Sequence, residues 1–161
     1  MTEMFRGRFE VKLDSKSRLG LPASIRSVFE SKKKTKDTTL VITNSLFRGE
    51  KCLDVYSLKS WEALEKRISK LPSLDLQVQS FQRFYLSGGQ VVSSDSQNRI
   101  LIPQNLRKFA GLKEQDELII VGMGEKFEVW SAEKWNLLFN DLTNQYEGML
   151  EALAKLEKGE S

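Results

Sequence analysis

The chain has 161 residues, 40% of them hydrophobic and 29% charged, with a formal net charge of +3, a profile that fits one globular domain or two small ones sharing a core. It has no histidine and a single cysteine, Cys52, which excludes Ser-His-Asp and Cys-His catalysis, His-based zinc sites, thiolate clusters and an intrachain disulfide. Residues 1–50 hold eleven Lys/Arg against six Asp/Glu, while 131–161 hold three against six. A basic front and an acidic tail suit a protein that docks one face on a polyanion, and equally suit ordinary surface variation.

The first eight residues contain no apolar h-region, and no stretch nears the roughly 18–20 apolar residues of a membrane span. Neither signal peptide nor membrane contact is expected, and the predicted compartment is the reducing cytoplasm. No phosphate-cradling glycine loop is present, and Gly122-Met123-Gly124 lacks the third glycine and following helix of a dinucleotide site. The chain is read as a non-enzyme with no cofactor, no catalytic set and no metal.

In chain order, Phe9, Val11 and Leu13 alternate with Arg8, Glu10 and Lys12, the pattern of a half-buried strand. Asp14 opens a turn through Ser15-Lys16-Ser17, and a second strand returns through Leu19 and Leu21 as a hairpin. Pro22 suits the first position of a short helix whose apolar face is Ile25, Val28 and Phe29. The run Lys32 to Lys36 reads as a solvated loop. A second hairpin follows, Leu40-Val41-Ile42 with Leu53-Asp54-Val55, turning at Gly49. Ser57 is a candidate N-cap for a helix carrying Trp61 and Leu64, which stops near Leu71, before Pro72. From Leu74 to Leu86 the residues Leu74, Val78, Phe81 and Tyr85 suit a bridging helix, although Leu74, Leu76 and Val78 also alternate.

The pattern then repeats. At an offset of 81, Asp14-Ser-Lys-Ser-Arg18-Leu-Gly-Leu-Pro22 faces Asp95-Ser-Gln-Asn-Arg99-Ile-Leu-Ile-Pro103, and Arg26 faces Arg107. At an offset of 74, Leu53-Asp54-Val55-Tyr56-Ser57 faces Phe127-Glu128-Val129-Trp130-Ser131, and Trp61 faces Trp135. A duplicated unit usually packs against its twin. In the second copy Gly111 is placed to stop the short helix, and Leu118 to Val121 pairs with Phe127 to Val129 around Gly122 and Gly124. The final helix is read as continuous, with a stripe from Trp135 through Leu138, Leu142, Tyr146, Leu150 and Leu153 to Leu156. It is too long for one small core to cover, so its overhang is expected on the bridging helix or on a neighbouring subunit. The boundaries are 8–57 for the first copy, 58–88 for the connecting helices, 89–132 for the second copy and 133–161 for the C-terminal amphipathic helix.

An Asp ahead of a tight turn can accept backbone N–H groups two or more residues on and can pair with the Arg of the returning strand. By itself this leaves two readings open. One is a hairpin staple worth about 0–1 kcal/mol; the other is a rigid tip aiming Arg18, Arg99 and Lys16 at phosphates or guanine edges.

Met4-Phe5-Arg6-Gly7 with Leu13-Asp14-Ser15-Lys16-Ser17-Arg18-Leu19, and Asp95 to Arg107 with Lys126-Phe127-Glu128-Val129-Trp130, resemble the two motifs of MraZ, a family of bacterial transcriptional regulators. The resemblance runs from Met4 to Trp135. It implies an α+β, mainly β fold: two SpoVT/AbrB-type repeats in a pseudo-two-fold swapped-hairpin barrel with flanking helices. It also implies a ring-shaped homo-oligomer on double-stranded DNA, reading short direct repeats upstream of the cell division and cell wall gene cluster in the nucleoid. Carried over by position, Lys16 and Arg18 face DNA, Arg99 is their second-copy counterpart, and Asp14 and Asp95 shape the turns. Arg8 and Lys12, outward on the first strand, are added candidates. The family has Gly before each motif Arg where this chain has Ser17 and Asn98. Asn tolerates a positive φ better than Ser, so the first turn either takes another shape or stores a small strain. Because Gln97 replaces the Lys of the first tip, that first tip is expected to dominate. The rival reading is an antitoxin-like AbrB module that oligomerises and binds protein without specific DNA readout.

Overall fold

The computed structural model describes residues 4–30 and 38–159; the lysine run at 32–36 lies outside them. The first copy contains β1 (Arg8–Lys12), β2 (Arg18–Gly20), α1 (Ala23–Glu30), β3 (Thr39–Phe47), β4 (Glu50–Ser57) and α2 (Leu58–Ser69). The bridge is α3 (Leu76–Phe81), capped by Asp75, whose carboxylate accepts the Gln77 and Val78 N–H groups. It runs straight into one π-helical turn, Gln82–Leu86. The second copy contains β5 (Gln90–Ser93), β6 (Arg99–Leu101), α4 (Gln104–Ala110), β7 (Glu117–Gly122), β8 (Lys126–Ser131) and α5 (Ala132–Asn144), followed by α6 (Tyr146–Glu157).

Six strands form one antiparallel sheet in the order β1-β7-β8-β4-β3-β5, and β2 pairs with β6. The order is a palindrome. A pseudo-two-fold between β8 and β4 exchanges the copies, with Asp54 opposite its own repeat-mate Glu128. Each copy donates its first strand to the other: β1 pairs with β7, and β5 with β3. The hairpin expected from Asp14 to Leu21 is therefore only a turn. The returning strand leaves it to set Leu19 against Ile100 of the other copy. The residue pattern could not reveal this, because alternation gives the buried face of a strand but not its partner.

The other punctuation sits as the residues dictate. Arg48 (φ 51) and Gly49 (φ 80) make the tight β3–β4 turn. Ser57 and Ser131 accept the Ser60 and Lys134 N–H groups as N-caps, and Gly111 ends α4 at φ 68. Gly122 is required by contact, since a Cβ there would lie 2.6 Å from the Arg6 backbone nitrogen. That close approach lets the N-terminal segment lie beside β7 and bury Phe5 in the core.

One sheet face carries the main core. Leu13, Leu19, Ile25, Leu53, Val55, Ile100, Leu106, Phe127 and Val129 are all buried there, under β2, β6, α1 and α4. The other face carries two smaller clusters, around Trp61 beneath α2 and around Trp130 beneath α5. Between them lies a buried polar centre. Asp54 Oδ2 accepts Lys126 Nζ at 2.7 Å and the Tyr85 hydroxyl at 2.5 Å, and Trp130 Nε1 donates to Glu128 Oε1 at 3.0 Å. Burial pushes the Cys52 thiol and the Tyr85 hydroxyl up, and it raises Glu128 above the ordinary carboxylate value. Burial works against the Lys126 charge, but the Asp54 carboxylate outweighs it and holds that ammonium above its usual value.

The final helix is not continuous. Gln145 leaves the helical region at φ −107, ψ 5, and its N–H closes back on the Leu142 carbonyl. Leu138 is buried and Leu142 half-buried, but beyond the break α6 buries nothing, and Tyr146, Leu150, Leu153 and Leu156 are exposed. No helix among the described residues is long and apolar enough to cross a membrane.

Candidate nucleic-acid interface

The two Asp-x-x-x-Arg turns are built alike. Asp14 Oδ1 accepts the backbone N–H groups of Lys16 at 2.9 Å and Arg18 at 2.8 Å, while Oδ2 accepts Arg18 Nε at 2.8 Å. Asp95 does the same with Gln97, Arg99 and Arg99 Nε, each at 2.9 Å. The Arg18 backbone N–H is the main reason Asp14 stays below the ordinary carboxylate range. Partial desolvation opposes it, and the guanidinium and the Lys16 N–H add to it. Asp95 is lowered in the same way, led by the Arg99 N–H. Each carboxylate therefore stays ionised and holds its Arg by Nε.

Both turns place the residue before the Arg in the left-handed region, Ser17 at φ 62 and Asn98 at φ 61. Of the two shapes open to the first turn, it takes the same one as the second, with Ser carrying the strain. That conformation turns the residue's carbonyl toward the other copy. Ser17 O accepts the Ile102 N–H at 3.1 Å, and Asn98 O accepts the Leu21 N–H at 2.9 Å. The buried Ser17 hydroxyl also donates to Glu114 Oε1 at 3.2 Å. Arg99 Nη1 lies 3.9 Å from Asp14 Oδ2, so the turns form one platform instead of two separate tips.

The structure thus brings Asp14, Lys16, Ser17, Arg18, Asp95, Asn98 and Arg99 together. Lys16 is exposed and has no ion-pair partner among the described residues, and the Arg18 and Arg99 side chains are each 28% exposed. Lys12 ends β1 two residues before Asp14, opposite Glu117. Arg8 is set apart, roughly 13 Å up the strand at ~3.3 Å per residue, with its guanidinium 4.5 Å from the Phe139 ring of α5. Two supporting pairs escaped the residue pattern. Arg26 Nε donates to the Leu21 carbonyl and Arg107 Nε to that of Ile102, fixing the exit of each return strand. Their alignment at the 81-residue offset was the available signal. Glu114 had none.

Two interleaved copies of one module, with their polar turns fused into a single platform, define a duplicated-module protein. The chain belongs to the MraZ family. The family profile described as "MraZ protein, putative antitoxin-like" matches residues 4–84 and again 85–152. The transcriptional regulator MraZ of Nitrosomonas europaea is 40% identical over 146 residues, covering 90% of this chain and 93% of that one. That of Acetivibrio thermocellus is 35% identical over 153 residues, 95% and 99% of the two chains. These relatives are named as transcriptional regulators, not enzymes. A solution structure of PHS018 from Pyrococcus horikoshii aligns over 81% of this chain and 97% of that one at 13% identity and a TM-score of 0.37, too loose a likeness to bear on the fold.

Proposed function

We propose that the chain is a sequence-specific DNA-binding transcriptional regulator of the cytoplasm and nucleoid. It reads short direct repeats of double-stranded DNA upstream of the cell division and cell wall gene cluster. It does so as a ring of subunits, each an AbrB-like swapped-hairpin barrel. The observation that carries this reading is the shared platform, where backbone and carboxylate contacts fix Arg18 and Arg99 in place beside the free Lys16. A guanidinium held by Nε loses little rotamer entropy on meeting a phosphate or a guanine edge. The exposed stripe of α6 offers a face to a neighbouring subunit.

The test is a gel shift on DNA carrying tandem repeats. Arg18→Ala should weaken binding by about ten- to a hundredfold, as expected for about 1–3 kcal/mol at a base or phosphate contact, with the fold retained. Lys16→Ala should flatten the salt slope by about one unit, and Arg99→Ala should cost less than Arg18→Ala. Unchanged binding in both arginine variants would overturn the site. Wild-type affinity that barely responds to salt would favour the antitoxin-like protein-binding reading, to which the apolar α6 also lends itself. A clean monomer by sedimentation at micromolar concentration would contradict the ring.

A further inference from the structure

The sheet face away from the platform's core gathers three side chains that DNA binding does not use: Cys52 and Asp54 of β4 and Glu128 of β8. Cys52 and Asp54 are two apart on one strand and so share a face, and Glu128 is the cross-strand partner of Asp54. One donor atom from each, the Cys52 sulfur and a carboxylate oxygen of Asp54 and of Glu128, lies within 4.8 Å of the other two. Cys52 and Asp54 are fully buried and Glu128 nearly so. Asp54 Oδ2 is occupied by Lys126 and Tyr85, whereas Oδ1 is buried with no hydrogen-bond partner. A buried carboxylate oxygen without a donor calls for an explanation, and a cation supplies one.

We propose that Cys52, Asp54 and Glu128 form a binding site for one divalent transition-metal ion of the zinc type. Zinc takes both thiolate and carboxylate ligands, at about 2.3 Å to sulfur and about 2.0–2.2 Å to oxygen, and three protein donors leave a fourth position for solvent. Those bond lengths at tetrahedral angles put donors about 3.3–3.7 Å apart, so the cluster needs to close by about an ångström. Calcium and magnesium prefer all-oxygen sites of higher coordination and fit it poorly. Lys126 can stay on Oδ2 while Oδ1 meets the metal. Three anionic donors and one ammonium then balance the ion's two charges. The metal itself deprotonates the coordinating thiol, and the proton passes to solvent. The duplication explains why the site exists once: Asp54 and Glu128 are repeat-mates, but the mate of Cys52 at the offset of 74 is Lys126. The ion would clamp β4 to β8, joining the two copies at their axis.

The full chain, stripped with chelator and kept reduced, is titrated with cobalt(II) chloride as a coloured stand-in for zinc. One equivalent should bind with a thiolate-to-cobalt charge-transfer band and the visible absorption of four-coordinate cobalt, and one equivalent of zinc should displace it. Cys52→Ser should remove the charge-transfer band. Glu128→Gln, which keeps an oxygen for the Trp130 indole, should weaken binding at least about tenfold while melting cooperatively. Absence of the band in the wild-type chain overturns the proposal, and so does equal affinity in wild type and both variants. The wild-type titration decides even if a variant fails to fold.

Discussion

The two copies of the module are most alike at their turns and least alike at the centre of the sheet. At the turns, the carboxylate contacts, the Arg geometry and the left-handed apex agree between Asp14–Arg18 and Asp95–Arg99; the differences are the exposed Lys16 against Gln97 and Ser17 against Asn98. At the centre, Asp54 and Tyr56 of one copy face Glu128 and Lys126 of the other, and Cys52 packs in one cluster with Trp130, so each copy has a different charge balance. Backbone geometry is held in common because each turn's apex carbonyl accepts an N–H from the end of the other copy's return strand, so neither can drift alone. Side chains at the axis are free to differ: the Lys126 ammonium of the second copy meets the Asp54 carboxylate of the first, while Glu128 takes the Trp130 indole from its own strand.

The largest test of that contrast is Asp54→Ala, which strands Lys126 and the Tyr85 hydroxyl. Leaving a buried charge uncompensated should cost about 3–5 kcal/mol in urea unfolding. Its mate should behave differently. Burial raises Glu128, so the folded state prefers it neutral, and its contribution to stability is present in acid and lost as pH rises through that raised value. In the metal-free chain Glu128→Gln should therefore match the wild type in acid and exceed it at neutral pH, with the crossover visible in melts across pH in the presence of chelator. Next come the twin core residues Ile25 and Leu106, 0% and 1% exposed. Truncating either to Ala should cost about 2–4 kcal/mol, and a marked inequality would show that the copies are not equally packed. Gly122→Ala should cost about 1–3 kcal/mol by driving a Cβ into the Arg6 backbone, and it should expose the Phe5 edge to limited proteolysis. The smallest effect is at the apices. Ser17→Gly should gain about 0.5 kcal/mol by relieving the positive φ, less whatever is lost with the Glu114 contact, and Asn98→Gly should change less.

Much of this is legible in the amino-acid sequence. The two offsets aligned the turn, the short helix, the β7–β8 pair and the helix carrying Trp135 in the second copy with their counterparts in the first. The N-caps Ser57 and Ser131, the stop at Gly111 and the Asp–Arg pairing all follow from side-chain chemistry acting within a few residues. What escaped was non-local. Nothing in Phe9-x-Val11-x-Leu13 says that its partner is Leu118 to Ile120 and not the strand just beyond the turn. The helix break at Gln145 escaped because the apolar stripe passes through it in phase, and only the missing support beneath Tyr146 and Leu150 shows where the core ends. The polar centre escaped because Asp54 and Glu128 look like ordinary members of alternating strands until β4 and β8 are laid side by side.

The exchange of first strands between the copies has a consequence for how the chain must behave when divided. A single copy lacks one strand of its own sheet and half of its platform, so on its own it would be folded only as a pair, with a stability that depends on concentration. The linker through Ser69 to Gly89 removes that dependence by keeping the mate at a fixed effective concentration. A gene cut between residues 84 and 85 should give two fragments that are disordered apart and assemble when mixed. Tethering also permits what a symmetric pair forbids: each side of the axis can change its residues without the change appearing twice.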